Sequence, residues 1–255
     1  MQKITVGIKT FCRPKCLEFN LNHFSKSLYC EKVQFIIADD SNERCKVLNA
    51  NIVNKYKNIG MQINHLQLEF DSGLSVGRNM MVDNCTTEFI LILDDSRTID
   101  TNTNLIGMVQ FMEDTKYDLI AGIIKQRHGI DRTYCKVFKK IENSDENVII
   151  FTENVKESIP NKYFSHTFKS DIVLNVFMAR TDILKDVIWR PELKVGEHEA
   201  FFYDLFCKKY KCAVTSSLNF LQASNEERQY PPDITNIYRT RDKVFKKRSK
   251  VTIYM

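Results

Sequence analysis

The run Glu88-Phe-Ile-Leu-Ile-Leu-Asp-Asp-Ser96 constrains this chain more than any other stretch. Phe89 to Leu93 are consecutive apolar residues, long enough for a strand buried on both faces and too short for an ordinary helix. The run stops at two adjacent carboxylates, Asp94 and Asp95. In α/β proteins, ligands collect beyond the carboxyl ends of parallel strands. A buried strand that ends in paired acids therefore aims negative charge at the place where a metal and a phosphate would sit. Aspartate is also favoured at turns and helix caps, so the neighbouring segments must decide between the two roles.

Those segments alternate. Ile4, Val6 and Ile8 mark a first strand ending at Lys9-Thr10, and Pro14 suits the first turn of a helix carrying Leu17, Leu21, Phe24 and Leu28. A second strand, Val33 to Ala38, again ends in paired acids, Asp39-Asp40, followed by Ser41. A polar helix over 44–58 leads to Gly60 and a third strand, Met61 to Leu68. Asp71-Ser-Gly-Leu-Ser-Val-Gly-Arg-Asn79 then reads as a glycine-containing loop that opens a helix. Strand–helix alternation of this kind predicts a mostly parallel central sheet with helices on both faces, a single α/β domain.

Beyond the central strand the pattern predicts a helix with Leu105, Met108, Val109 and Met112 on one face, and a strand from Tyr117 to Ile124. A hairpin follows around the polar turn Glu142-Asn-Ser-Asp-Glu146, then a strand from Asp171 to Ala179. Gly196-Glu-His-Glu199 opens a helix bearing Phe201, Phe202, Leu205 and Phe206, and a last strand runs near Cys212 to Leu221. The economical division is one domain over 1–235 and a basic tail over 236–255.

Composition narrows the class. With 43% hydrophobic and 27% charged residues, the chain is globular rather than disordered. No apolar run approaches the roughly 20 residues that span a bilayer, and the first residues enter a strand without a signal-peptide pattern. The expected compartment of the chain as given is cytoplasmic. Much of the net charge of +5 lies in Arg239 to Lys250, which could touch an anionic membrane but reads as a solvated terminus, with no nucleic-acid partner expected. None of the eight cysteines forms Cys-x-x-Cys, which argues for buried free thiols rather than structural zinc.

Two parallel strands ending in Asp39-Asp40 and Asp94-Asp95 would crowd four carboxylates along one edge. Such crowding raises their pKa values unless a cation compensates. A divalent metal carrying a nucleotide diphosphate would do so, as would Arg78. Gly73 and Gly77 let backbone N–H groups approach an anion, but the chain has neither a Gly-x-x-x-x-Gly-Lys nor a Gly-x-Gly-x-x-Gly loop. ATPase and dinucleotide functions lose ground accordingly. Glu197-His-Glu199 suits the positive end of a helix dipole and equally a general base supported by His198. His23 and His65 read as ordinary histidines.

Taken together, Lys9-Thr-Phe-x-Arg13, Ile37-Ala-Asp-Asp-Ser41, Gly77-Arg-Asn79, Phe89-x-x-x-Leu-Asp-Asp95, Asp171-x-Val-x-Asn-Val-Phe-Met-Ala-Arg-Thr181 and His198-x-x-Phe-Phe202 resemble family 2 glycosyltransferases of GT-A fold. Among these the β-1,4-N-acetylgalactosaminyltransferase group is nearest, and the resemblance spans about residues 3 to 224. It implies inverting transfer of a sugar, GalNAc or GlcNAc, from a UDP-sugar to a glycan or glycoconjugate hydroxyl, with Mn²⁺ or Mg²⁺ on the diphosphate. It also implies a Golgi lumen for a domain normally held by an anchor. Carried over by position, Thr10, Arg13, Asp39, Asp40, Arg78 and Asp94 would bind the nucleotide. Asp95 would hold the metal, and Glu199 with His198 would supply the base.

Three positions depart from the family pattern. Ser96 stands where a third acid meets the metal, Ala200 where an acid precedes the Phe-Phe pair, and Gln222 where a histidine completes the metal site. If these positions hold no metal, Lys or Arg must replace it, with Arg127, Arg132 and Arg180 as cationic candidates. The alternative functions are a catalytically degenerate domain that binds a nucleotide sugar or glycan, or supports a partner enzyme, and a nucleotidyltransferase. The last lacks a basic loop for a third phosphate.

Overall fold

The computed structural model describes residues 3–126, 130–141, 148–152, 157–193 and 196–235. The turn expected at 142–146, Arg127 and the basic tail lie outside these residues. The first half follows the expected alternation: β1 (Ile4–Thr10), α1 (Pro14–Ser25), β2 (Gln34–Asp39), α2 (Glu43–Lys57), β3 (Gln62–Gln67), α3 (Leu74–Asp83) and β4 (Phe89–Asp94). β1 pairs in parallel with β2 and with β4, and β2 with β3. The carboxyl ends of four strands therefore share one edge.

The second half contributes β5 (Arg97–Ile99), α4 (Leu105–Thr115), β6 (Leu119–Lys125), β7 (Val137–Ile141), β8 (Val148–Thr152), β9 (Thr167–Ser170), β10 (Phe177–Arg180), α5 (Thr181–Asp186), α6 (Glu197–Cys207) and β11 (Cys212–Gln222). The main sheet runs β3-β2-β1-β4-β10-β6-β11-β5, with β9 beside β11. β10 lies antiparallel between β4 and β6, while β6 and β11 are parallel. The sheet is thus parallel through its first four strands and mixed beyond them. β7 and β8 form a separate hairpin across the 142–146 segment.

Strand alternation sorts the core into two layers. Phe89, Leu91 and Leu93 face one layer with Leu17, Leu21 and Phe24 of α1, Val53 and Tyr56 of α2, and Met108 and Met112 of α4. Ile90 and Ile92 face the other, with Met81 and Val82 of α3, Ile183 and Leu184 of α5, and Phe201, Phe202 and Leu205 of α6. β4 is buried on both faces because helices cover both, as its unbroken apolar run requires.

Several expectations are corrected. Leu28 does not belong to the first helix, which ends at Ser25, and it is 60% exposed. The hydroxyls of Ser25 and Ser27 bond back to the Asn22 and Phe24 carbonyls and compete with further helical turns. Tyr29 takes the core place instead, its hydroxyl donating to the Thr103 carbonyl (3.1 Å) and accepting from the Leu105 amide (3.1 Å). The strand expected over Asp171 to Ala179 is confined to β10, because Ile172 bridges Lys136 rather than a sheet neighbour of β4. All eight cysteines are free. Among the described residues no helix is long and apolar enough to cross a membrane.

Leu91 is fully buried between Val6 and Met178 of the flanking strands. Leu91→Ala should cost about 2–5 kcal/mol, read as a lowered denaturant midpoint. The same truncation at exposed Leu28 should stay within about 0.5 kcal/mol.

Candidate active site at the carboxyl edge of the sheet

Because successive residues of a strand point to opposite faces, each acid pair divides between the two layers. Asp94 follows Ile90 and Ile92 toward α3 and α6, and there meets Arg78 Nη2 at 3.1 Å. Asp95 follows Leu91 and Leu93 toward α1, where it accepts from Arg13 Nη2 and from Thr10 Oγ1 (2.8 Å). At the end of β2, Asp40 accepts from Lys9 Nζ and from the Gly73 amide (2.8 Å). Asp39 accepts from Asn49 Nδ2 (2.9 Å) and the Ser41 amide (3.0 Å), and lies 3.2 Å from His65 Nε2. Each carboxylate is matched by a donor of the chain itself, as burial demands: an unpaired buried charge costs several kcal/mol.

Each residue of the Gly-Arg-Asn segment of α3 has a place in or beside this network. A Cβ on Gly77 would fall 2.2 Å from Lys9 Cδ, so a larger residue there would push Lys9 off its present path to Asp40. Arg78 is buried, bridges Asp94 and Glu197 (Nη1 to Oε1, 3.4 Å), and lies over the Trp189 ring at 5.7 Å. Asn79 holds the backbone of Trp189 by donating to its carbonyl (2.7 Å) and accepting from its amide (3.0 Å). Trp189 in turn stacks on Phe201 at 4.1 Å, which fixes α6 against α3.

The α6 triplet is divided by helical geometry. Glu197 lies one turn before Ala200 on the same face, is buried, and reaches Arg78. Burial pushes its carboxyl up, and Arg78 offsets only part of that. His198 packs edge-on to Phe202 (5.1 Å) and Tyr134 (6.1 Å). Burial lowers its pKa to about 4, so it is neutral at neutral pH, and its buried Nδ1 has no hydrogen-bond partner among the described residues. Glu199 occupies a half-buried position on another face of the helix. Of the two glutamates, it is Glu197 and not the expected Glu199 that shares a network with Asp94, since both open the same helix and local sequence does not show which one faces Arg78.

The Asp94 side chain is 29% exposed while Asp95 is sealed. Burial acts against the Asp94 charge, but Arg78 and Arg97 outweigh it and hold its carboxyl below the usual range. Asp39 is likewise held below that range, with His65, Ser41 and Asn49 outweighing burial. His65 is therefore part of the site framework and was missed, since nothing in its local sequence shows that β3 lies beside Asp39.

Ser96 and Gln222 come together, because Arg97 is the cross-strand partner of Gln222 and the Ala223 amide donates to the Ser96 carbonyl (3.0 Å). Both side chains already serve guanidinium groups. Ser96 Oγ accepts from Arg97 Nη1 at 2.7 Å. Gln222, in the amide orientation that suits its neighbours, accepts from Arg228 Nη1 and Nε. Burial lowers the Arg97 pKa, and Arg228, Arg13 and Arg132 lower it further against the pull of Asp94. Of the cationic candidates, Arg180 lies at the opposite end of the sheet, paired with Glu88 and set over Phe89. Arg132 bridges Ile124 near the site edge.

A metal held in the family manner needs several converging oxygen or nitrogen donors. Here Asp94 is the only partly exposed acid of the two pairs, Asp95 is saturated by Arg13 and Thr10, and positions 96 and 222 face guanidinium groups. Among the described residues, no three His, Cys, Asp or Glu side chains form a metal-ligating group. The donor set does not fit a protein-held divalent cation.

The model of glycosyl transferase family 2 matches residues 5–170. Human β-1,4 N-acetylgalactosaminyltransferase 1 is 27% identical over 203 residues, 79% of this chain and 35% of its own length. The chain thus spans about a third of that relative. S. aureus TarS 1-349, solved in complex with UDP-GlcNAc, superposes with a TM-score of 0.61 at 18% identity, covering 90% of this chain and 62% of TarS 1-349. GalNAc-T7, solved with UDP, GalNAc and Mn²⁺, gives 0.64 at 14% identity over 91% of this chain and 45% of its own. The fold shared with these structures is the GT-A glycosyltransferase fold. By the match over most of its length, the chain belongs to glycosyl transferase family 2.

Proposed function

We propose that this domain is an inverting glycosyltransferase that moves a sugar, GalNAc or GlcNAc, from a UDP-sugar to an acceptor hydroxyl of a glycan. The observation that carries the reading is the Arg78 bridge between Asp94 and Glu197, which sets a partly exposed acid and a second carboxylate side by side at the carboxyl edge of the sheet. In this reading Thr10 and Arg13 brace the edge through Asp95, and Asp39 and Asp40 shape the base pocket from behind. Asp94 meets the ribose. Phe70, half exposed and stacked on Phe11 at 5.7 Å, offers the base a flat surface.

Transfer then needs one proton acceptor. The acceptor oxygen attacks the anomeric carbon, the bond from that carbon to the diphosphate oxygen breaks, and its electron pair leaves with UDP. The hydroxyl proton passes to a carboxylate. Glu197 is the better base, because its carboxyl is raised by burial toward the working pH. Neutral His198 lies beside it to orient the acceptor. The reading of Glu199 as base is separated from this one by substitution. Glu197→Gln should lower UDP release from UDP-GalNAc or UDP-GlcNAc by about a hundredfold or more, with water as acceptor where no glycan is supplied. Glu199→Gln should leave it within a few fold, and the opposite ranking would exchange the two roles.

The sign of the pH effect follows. A base must be ionised, so activity should rise with pH through the Glu197 pKa, and its acid limb should lie above the ordinary glutamate range. Arg78 lowers that pKa, so Arg78→Gln should move the limb to higher pH, as read from kcat/KM profiles.

Ala200 before the Phe-Phe pair favours a second reading, a domain that binds the donor without turnover. Calorimetric binding of a UDP-sugar with no UDP release at any pH would establish it.

A further inference from the structure

We propose that Arg97 and Arg228, rather than a protein-held divalent cation, neutralise the donor diphosphate. The inference rests on the reading of this edge as a nucleotide-sugar site. Ser96 Oγ and the Gln222 amide oxygen, the neutral oxygens that stand at the expected metal positions, both accept from guanidinium groups. A divalent cation placed there would meet two positive charges at contact distance. An anion placed there would meet two planar donors that match phosphate oxygens in pairs.

The pairing of the arginines points the same way. Arg13 is matched by Asp95, and Arg78 by Asp94 and Glu197. Among the described residues Arg97 and Arg228 make no ion pair, although Asp94 acts on Arg97 through space. Their side-chain hydrogen-bond partners among the described residues are neutral: Ser96 for Arg97, and Asn225 and Gln222 for Arg228. Among the described residues the two guanidinium groups are therefore bonded only to neutral oxygens, and an anion would supply the charged partner that they lack.

Both arginines are held in place. Arg97 opens β5 and pairs across to Gln222, so it cannot drift along the edge. Arg228 ends a turn in which the Ser224 amide donates to Glu227 Oε2 (2.6 Å), the Glu227 amide donates to Ser224 Oγ (3.2 Å) and the Arg228 amide donates to the Ser224 carbonyl (3.1 Å). The segment beyond is pinned by Ile234 against Phe11, Cys12 and Cys45. Arg228 thus reaches the edge from a strap that crosses it, while Arg97 reaches it from the sheet.

The test is calorimetric titration of UDP and of uridine into the whole chain, in Mn²⁺ and in EDTA, for the unmodified protein, Arg97→Met and Arg228→Met. UDP should bind equally well in EDTA and in Mn²⁺. Each substitution should weaken UDP by about tenfold or more and leave uridine unchanged, which also shows that the variant has folded. If Arg97→Met unfolds, Arg228→Met, on the half-exposed strap, provides the reading. UDP binding that requires Mn²⁺, or that neither substitution weakens, overturns the inference and leaves the donor site standing. No UDP binding in either condition overturns the donor-site reading, and the inference with it.

Discussion

Lys9 and Arg13 reach Asp40 and Asp95 from the two sides of one strand end, and the carboxyl edge of the sheet is built on that matching. Paired acids at the end of a strand cannot both face the same cation, because consecutive side chains leave the sheet in opposite directions. The chain meets the constraint with cations on separate elements. Lys9 comes from β1, Arg13 from the start of α1, and Arg78 from α3. Gly77 is the steric consequence, since any side chain there would occupy the path of Lys9. A charged network buried this deeply is a strong geometric requirement: loss of one member strands its partner in low dielectric.

Arg78 links that framework to the chemistry proposed for the site. It is buried against Trp189, holds Asp94 ionised, and keeps Glu197 partly in check. One guanidinium therefore sets the charge of an acid open to the ligand and the basicity of its neighbour. The same group ties α3 to α6 through the Trp189–Phe201 stack, so the helix carrying the proposed base is fixed by core packing rather than by a loop. Such placement favours a preorganised site.

Two of the departures from the family pattern, at positions 96 and 222, are far apart along the chain but meet in space. Ser96 and Gln222 are neighbours across β5 and β11, and both accept from arginines. Glu197 lies on the Ala200 face of α6. Ser96 and Gln222 are each accompanied by a guanidinium group, and Ala200 by the carboxylate of Glu197. On the proposed reading, this edge attracts the phosphates of the donor through arginines rather than through a protein-held metal.

The amino-acid sequence alone determined the strand–helix alternation, the burial of β4 on both faces and the position of the acid pairs at one edge. These follow from local periodicity and from the covering of both faces of a parallel strand, which an unbroken apolar run already encodes. It did not determine that Leu28 leaves the helix, that β10 lies antiparallel beside β4, or which cation answers which acid. Those outcomes depend on contacts between residues far apart in the chain, such as Arg13 with Asp95, His65 with Asp39, and Arg228 with Gln222. Only the tertiary structure decided them, because a charge is satisfied by distance in space, and sequence spacing carries no measure of that distance.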